Sequence, residues 1–311
     1  NFDLVSEELE LKVHETILEV NLGAMVANLN HYRSMLRHPE TKMICMVKAA
    51  AYGAGSYEIA KTLQEHHVDY LAVAVADEGS ELRKAGITSS IIIMDPELTM
   101  TLPDYQTEAG CADIMMHTME RYFVNSGTME LTDALAEGLL RTVMHNAEVL
   151  HTDPRNYDAR AEVMWASSLA HNGLTGCGSD GGDWMPHLLE HEMGGMFNVT
   201  HGAGLAAVWP SWARYVYQNC MPRFVRFAHN VMGVELGLSD NETALLGIER
   251  MEDFFRSIHM PTSLGELGVH PTEDQLCELA HKCKIAVGGL LGSAKRLDES
   301  DMLAIYKAAN H

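Results

Sequence analysis

The chain has 311 residues, and its 43 acidic against 22 basic side chains give a formal net charge of −21. This length predicts two domains with separate cores. Such acidity argues against nucleic-acid partners, because it repels phosphate, and no apolar run in the sequence is long enough to cross a membrane. The six cysteines lack paired spacing, which predicts reduced thiols in a cytoplasmic protein.

Residues 16–97 alternate short β-rich runs with segments of helical spacing, a pattern typical of a parallel α/β layer. The predicted strands are Thr16–Leu22, Met43–Ala49, Tyr70–Ala76 and Ile91–Met94. The predicted helices between them are Ala24–Leu36, Tyr57–His66 and Asp77–Ala85. Right-handed crossovers would join the strands, and the last strand would end at Asp95-Pro96, because proline interrupts a ladder. We therefore expect four parallel strands in this part of the chain.

Residues 98–311 carry no comparable strand pattern, and apolar residues recur there at three- and four-residue spacing. The clearest helical segments are Leu131–Leu150, Ala159–Gly173, Leu205–Cys220, Asn241–His259 and Asp274–Leu291. All four tryptophans also lie in this part. The sequence therefore predicts a second, all-helical domain over residues 98–311.

Two pairs of metal-ligand side chains occur at helical spacing in this second part. Asp113 and His117 are four residues apart, as are His187 and His191, so each pair shares one helix face. His201 follows shortly after in the sequence His-Gly-Ala-Gly. Most polar pairs at this spacing lie on solvated surfaces, so neither pair alone identifies a metal site.

Taken together, residues 98–311 resemble the helical catalytic domain of the iron-containing (group III) alcohol dehydrogenases, especially the butanol dehydrogenase-like branch. The matching motifs are Asp95 to Leu98, Leu102-Pro103, Gly110 to Asp113, His117 to Glu120, Asn156 to Arg160, and His187 to His201. The resemblance implies a dehydroquinate synthase-like helical fold. It also implies a metal held by one aspartate and three histidines, which are here Asp113, His117, His187 and His201.

The chemistry implied by this resemblance is hydride transfer between NAD(P) and a small alcohol or aldehyde. Three imidazoles and one carboxylate suit Fe²⁺ or Zn²⁺ better than Mg²⁺ or Ca²⁺. Such an ion acts as a Lewis acid on the substrate oxygen. His191 matches a family histidine that lies close to the metal without binding it. It would either relay a proton or serve as a structural neighbour of the ligands.

The sequence also matches a metallopeptidase motif and a dinucleotide-binding motif, but the neighbouring residues support neither function. His187 to His191 also reads as H-x-x-E-H, in which Glu190 would be the general base of an inverted metallopeptidase. That interpretation leaves Asp113, His117 and His201 unexplained. Residues 176–181 match the dinucleotide-binding pattern G-x-G-x-x-G, but no predicted strand precedes them. We therefore expect a loop between helices there.

A lysine motif in the first part suggests a different cofactor. Lys48 follows a predicted strand and precedes a small-residue turn ending at Gly55, a place suited to a Schiff base with an aldehyde cofactor. Most lysines at strand ends are merely solvated. However, residues 14–94 resemble the N-terminal part of the pyridoxal-phosphate barrel of alanine racemase. The matching segments are Glu19 to Leu22 with Asn28, Lys48 to Gly55, Leu71 to Ala74, Glu78-Gly79, and Leu82-Arg83.

This second resemblance implies that Lys48 is the catalytic lysine that binds pyridoxal phosphate, and that Tyr52 lies close to that cofactor. The motif departs from the usual pattern at Ala50 and Ala54. A complete barrel of this kind needs about 250 residues, whereas the first part supplies only four predicted strands. The barrel strands that hold the phosphate, and the tyrosine that completes racemisation, are therefore not in the matching segment.

The chain is interpreted as a chimera of residues 1–97, an alanine racemase-like α/β fragment, and residues 98–311, an iron alcohol dehydrogenase-like domain. The two resemblances meet within residues 94–97. The predicted function is a metal-dependent alcohol dehydrogenase or aldehyde reductase. It would be inactive if no nicotinamide site replaces the dehydrogenases' glycine-rich domain, which residues 1–97 lack. The alternatives are a pyridoxal-phosphate protein using Lys48 and a catalytically silent metal-binding chimera. Because both families commonly associate, we also expect a homo-oligomer.

Overall fold

The computed structural model describes residues 18–36, 38, 40–74, 76–93, 96–125, 127, 129–288 and 290–311. The chain divides into two compact units, residues 1–95 and residues 96–311. This division lies two residues before the boundary expected from the sequence patterns. The first unit is a small α/β layer, and the second is helical, as the two kinds of periodicity predict.

The first unit contains three parallel strands with helices between them. Its elements are α1 (Leu22–Met35), β1 (Ile44–Met46), α2 (Lys48–Tyr52), α3 (Ser56–Glu65), β2 (Tyr70–Ala72), α4 (Ala76–Lys84) and β3 (Ile91–Ile92). The strand order is β1-β2-β3, with Ile44 opposite Tyr70 and Leu71 opposite Ile91. Buried aliphatic side chains from α3, from β2 and from the residues just after β1 and β2 form much of its core, with Leu71 fully buried.

The first predicted strand, Thr16–Leu22, is wrong over residues 18–22. Thr16 and Ile17 lie outside the described residues, and α1 already begins at Leu22. The side chain of Asn21 accepts a hydrogen bond of 2.9 Å from the backbone N–H of Ala24, which makes it the N-cap of this helix. Leu18 is 71% exposed, so no sheet neighbour buries this segment. The described sheet therefore has three strands rather than four.

The second unit consists of nine helices within the described residues. They are α5 (Asp104–Tyr122), α6 (Glu130–Thr152), α7 (Tyr157–His171), α8 (Met185–Phe197), α9 (His201–Val216), α10 (Met221–Asn230), α11 (Asp240–Ser257), α12 (Glu273–Val287) and α13 (Glu299–Ala309). Short 3₁₀ turns lie at Pro96–Thr99, Leu174–Gly176 and Tyr217–Cys220. Across the described part of the chain, no helix combines the length and apolar character that a bilayer span requires.

Helix α9 lies in the centre of the second unit. Its sequence is apolar on nearly every face, and most of its side chains, including Trp209 and Trp212, are fully buried. It packs very closely on α5, because a Cβ atom added to Gly202 would lie only 1.9 Å from the backbone oxygen of Ala109. Glycine at position 202 thus brings the first residue of α9 next to the middle of α5.

Candidate metal centre

Four predicted ligands meet where α5, α8 and α9 approach one another. Asp113 and His117 lie one turn apart on α5, as their spacing predicts. His187 lies in the first turn of α8, and His201 is the first residue of α9. The structure therefore brings together side chains that are separated by up to three helices along the chain.

The arrangement converges on a single carboxylate oxygen. Asp113 Oδ1 lies 3.4 Å from Nε2 of His187, 3.5 Å from Nε2 of His201 and 3.6 Å from Nε2 of His117. Two ligand atoms that share a tetrahedral metal at about 2.1 Å would lie roughly 3.4 Å apart. Each of these three distances therefore fits a carboxylate oxygen and an imidazole nitrogen bound to one divalent cation.

Unsatisfied polar atoms support the same conclusion. Within the described chain, Asp113 Oδ1 and His187 Nε2 are buried and have no hydrogen-bond partner. Buried polar atoms normally find partners, because leaving them unpaired costs roughly 1–3 kcal/mol each. Here the unpaired atoms face one another, so a bound cation would satisfy them together. The residues present thus fit the metal that the sequence resemblance implies.

Two buried glutamates orient the histidines from behind. His187 donates from Nδ1 to Glu120 Oε2 over 2.6 Å, and its backbone N–H donates to Glu120 Oε1 over 2.9 Å. His201 Nδ1 donates to Glu190 in the same manner. Such bonds at Nδ1 fix the ring orientation and leave the Nε2 lone pair free for a metal.

The charges of the metal-free site are strongly coupled. Burial acts to raise the pKa of Asp113, but the imidazoles of His187 and His201 outweigh it and hold that pKa well below its usual range. Burial similarly acts to lower the pKa of His187, but Asp113 and Glu120 raise it to about 9. Without a metal, protons therefore supply the positive charge that this carboxylate-rich site requires, and a binding cation must displace them.

His117 differs electrostatically from the other two histidines. Burial, together with the nearby charges of His187 and His171, lowers the pKa of His117 to about 3. By contrast, the nearby carboxylates of Asp113 and Glu190 raise the pKa of His201 to about 10. His117 is therefore neutral in the metal-free protein near pH 7, which is the form that binds a metal.

His171 is a neighbour of the site that the sequence patterns did not reveal. Its ring centroid lies 4.0 Å from that of His117, and its Nδ1 donates to the backbone oxygen of Ser167 over 2.8 Å. Ligand-type atoms of Asp113, His117 and His171 all lie within 4.8 Å of one another, as do those of Asp113, His187 and His201. His171 forms no local motif in the sequence, since it ends a helix far along the chain from His117.

His191 lies beside the site. Its ring is nearly parallel to that of His201, with centroids 5.4 Å apart, and lies 5.9 Å from that of His187. This agrees with the expected position of His191 near the ligands. Its partner in the H-x-x-E-H motif, Glu190, accepts from His201 and is only 1% exposed. Glu190 is therefore a buried partner of a candidate ligand, which disfavours the metallopeptidase interpretation.

The glycines around the site have packing roles. Besides Gly202, Gly204 leaves room for Glu190, because a Cβ atom there would lie 2.7 Å from Glu190 Oε1. This explains why His201 is followed by the sequence Gly-Ala-Gly. Residues 176–181, by contrast, follow α7 and lead through a loop to α8, so the prediction of an interhelical loop is confirmed.

Lys48 lies in the first unit, two residues after the end of β1, at the start of α2. The next three residues, Ala49 to Ala51, have φ values between 50° and 53°, so the turn has a left-handed backbone. Glu78 holds this turn, since its carboxylate accepts from the N–H groups of Ala49 and Ala74. Tyr52 is 68% exposed. Lys48 thus lies close to a strand end, as expected, and Tyr52, four residues later, faces solvent.

Comparison with known proteins shows that the two parts of the chain are similar to different families. Residues 107–310 match the family described as Fe-containing alcohol dehydrogenase family, C-terminal. Residues 20–120 match the alanine racemase N-terminal domain. The two matches overlap over residues 107–120, which lie in α5. The predicted double resemblance is therefore confirmed.

Individual relatives show the same division. NADH-dependent butanol dehydrogenase B of Clostridium acetobutylicum is 38% identical over 217 residues, which cover 69% of this chain and 55% of that protein. Alanine racemase 2 of Caldanaerobacter subterraneus is 42% identical over 83 residues, which cover 27% of this chain and 21% of that protein. The chain thus spans about half the length of the dehydrogenase it matches.

The fold likeness extends over most of the chain. The crystal structure of NADH-dependent butanol dehydrogenase A from Thermotoga maritima superposes on this chain with a TM-score of 0.71 and 24% sequence identity. The superposition covers 93% of this chain and 81% of the Thermotoga chain. A helical domain combined with a partial α/β layer, as expected from the sequence, is therefore the observed fold class.

Proposed function

Since this chain belongs to the Fe-containing alcohol dehydrogenase family, we propose that it performs metal-dependent hydride transfer between a primary alcohol or aldehyde and NAD(P). The observation that carries the proposal is the convergence of three imidazole Nε2 atoms on Asp113 Oδ1. The similarity to a protein named as an NADH-dependent butanol dehydrogenase supports the reaction class. Small alcohols and aldehydes are the corresponding substrates.

In this proposal, Asp113, His117, His187 and His201 hold an Fe²⁺ or Zn²⁺ ion. A divalent cation bound there would supply Lewis acidity toward the substrate oxygen. Glu120 keeps Nε2 of His187 directed into the centre, and Glu190 does the same for His201.

His191 is proposed to assist catalysis from the edge of this centre. Its imidazole is exposed and lies beside His201. A ring nitrogen in that position can pass the alcohol proton to solvent during oxidation and return it during aldehyde reduction. A cytoplasmic location and self-association remain predictions from the sequence.

The decisive experiment is a nicotinamide titration of the untagged chain loaded with Fe²⁺ or Zn²⁺. We expect saturable quenching or enhancement of NADH fluorescence, and oxidation of NADH when butanal is added. The chelator-stripped protein serves as the control and should not consume NADH. If neither NADH nor NADPH binds saturably, hydride transfer by this chain is rejected and a metal-binding protein without dehydrogenase activity remains.

A second candidate function is binding of pyridoxal phosphate at Lys48, with Tyr52 beside the cofactor. It is supported by the match of residues 20–120 and by the position of Lys48 just beyond β1. Incubation with pyridoxal phosphate followed by borohydride should then label Lys48. The label should persist in Lys61→Arg, which changes another lysine of this unit, and disappear in Lys48→Arg. Wild-type protein without a labelled lysine would exclude this function.

A further inference from the structure

A second cluster of metal-ligand side chains lies outside the centre described above. It consists of Glu108 on α5, His151 in the last turn of α6 and His259, two residues after the end of α11. One ligand-type atom of each residue lies within 4.8 Å of the others. We propose that Glu108, His151 and His259 form a second site for a divalent transition-metal ion.

The carboxylate of this cluster is buried, whereas the histidines lead to the surface. Glu108 is 3% exposed, and its Oε1 lies 2.6 Å from Nδ1 of His151. The side chain of His151 is 28% exposed, and His259 is exposed to solvent. The site therefore offers a buried carboxyl ligand together with a path by which an ion can enter from solvent.

His259 has a backbone conformation that costs free energy. Its φ of 56° lies in the left-handed region, where residues other than glycine are disfavoured by about 1 kcal/mol. Just after a helix, this conformation is usually taken by glycine. Here it holds the His259 ring at 88° to that of His151, with centroids 4.5 Å apart. A simple ion pair between Glu108 and His151 would not require this third imidazole.

The second cluster is distinct from the first. Glu108 precedes Asp113 by five residues on α5, which corresponds to about 7.5 Å along the helix axis and about 140° around it. The two carboxylates therefore lie on different sides of the same helix. His151 and His259 also belong to no cluster with the ligands of the first centre.

The donor set favours particular ions. One carboxylate and two imidazoles suit Zn²⁺, Co²⁺ or Fe²⁺ rather than Mg²⁺ or Ca²⁺. Three protein ligands would leave at least one position for water. The 2.6 Å contact between Glu108 Oε1 and His151 Nδ1 is shorter than the roughly 3.4 Å between two atoms on one tetrahedral ion. Metal binding must therefore open this hydrogen bond and release its proton to solvent.

The test is to count bound metal ions in the untagged chain and in three variants. Chelator-stripped protein is titrated with Co²⁺ by visible absorption, and Zn²⁺ is counted by equilibrium dialysis. We expect two equivalents in the wild type, one in Asp113→Ala, one in His259→Gly and none in the double variant. His259→Gly is informative because glycine relieves the left-handed backbone, so its metal-free melting temperature should equal or exceed that of the wild type.

His145→Gln provides the matched control, since this exposed histidine also lies on α6 and joins no such cluster within the described residues. It should retain two equivalents. The proposal is overturned if the wild type binds one equivalent that Asp113→Ala removes, or if the second equivalent survives in folded His259→Gly. The first centre is judged separately, because its equivalent is the one that Asp113→Ala removes.

Discussion

Asp113→Ala should abolish tight metal binding at the α5–α8–α9 centre and, with it, the proposed metal-dependent aldehyde reduction. Asp113 Oδ1 is the atom on which Nε2 of His117, His187 and His201 converge, and Asp113 provides the negative charge among these four side chains. Loss of a residue that only hydrogen-bonds to a metal ligand already lowers metal affinity roughly 10–100-fold. Loss of the shared carboxylate should therefore lower affinity by more than about 100-fold.

This result requires a comparison of folded proteins. Asp253→Ala is a suitable control, because Asp253 is 70% exposed on α11 and should leave metal content unchanged. Equilibrium dialysis measures the affinity, and circular dichroism compares the folds. If folded Asp113→Ala binds metal at this centre as tightly as the wild type, the assignment of the four ligands is wrong.

Gly202→Ala should strongly destabilise the helical unit. The added Cβ atom would lie 1.9 Å from the backbone oxygen of Ala109, so α9 must move away from α5. Overpacking typically costs 1–3 kcal/mol, and a clash with backbone belongs at the upper end, at about 3 kcal/mol. For a unit of roughly 200 residues this corresponds to a decrease in melting temperature of roughly 6–12 °C. Because His201 begins α9, metal affinity should fall as well.

Gly138→Ala is the matched control for this prediction. Gly138 lies inside α6, and a Cβ atom added there would meet no atom within 4 Å. Alanine is a better helix former than glycine by up to about 1 kcal/mol, so this variant should be as stable as the wild type or more stable. Calorimetry of both variants measures the difference. Wild-type stability of Gly202→Ala would contradict the close approach of α5 and α9.

The parts of the candidate site that could be predicted from the sequence are the pairs of residues that lie close together on one helix. Asp113 and His117 lie on one face because the α-helical period places residues four apart one above the other. His187 and His191 follow the same rule on α8. Long helical patterns likewise predicted the second unit, since periodicity over many residues is a strong signal.

The unpredicted part depends on contacts between distant residues. Nothing near Glu120 indicates that it accepts from His187, 67 residues later. The pairing of Glu108 with His151 likewise spans 43 residues and two helices. The failed first strand has a local cause, because the cap at Asn21 started a helix where β-rich composition predicted a strand. Asn21 is a residue type that favours helix starts, but the β-rich composition around it favoured the prediction of a strand.

The origin of the four ligands within α5, α8 and α9 has a consequence for how such proteins evolve. The ligands, the two glutamates behind them and the glycines that allow close packing all lie between residues 109 and 204. Recombination upstream of this segment can exchange the preceding α/β layer without altering a single donor atom. The candidate metal-binding residues can therefore be inherited independently of the α/β layer that precedes them, because one helical unit carries all of them.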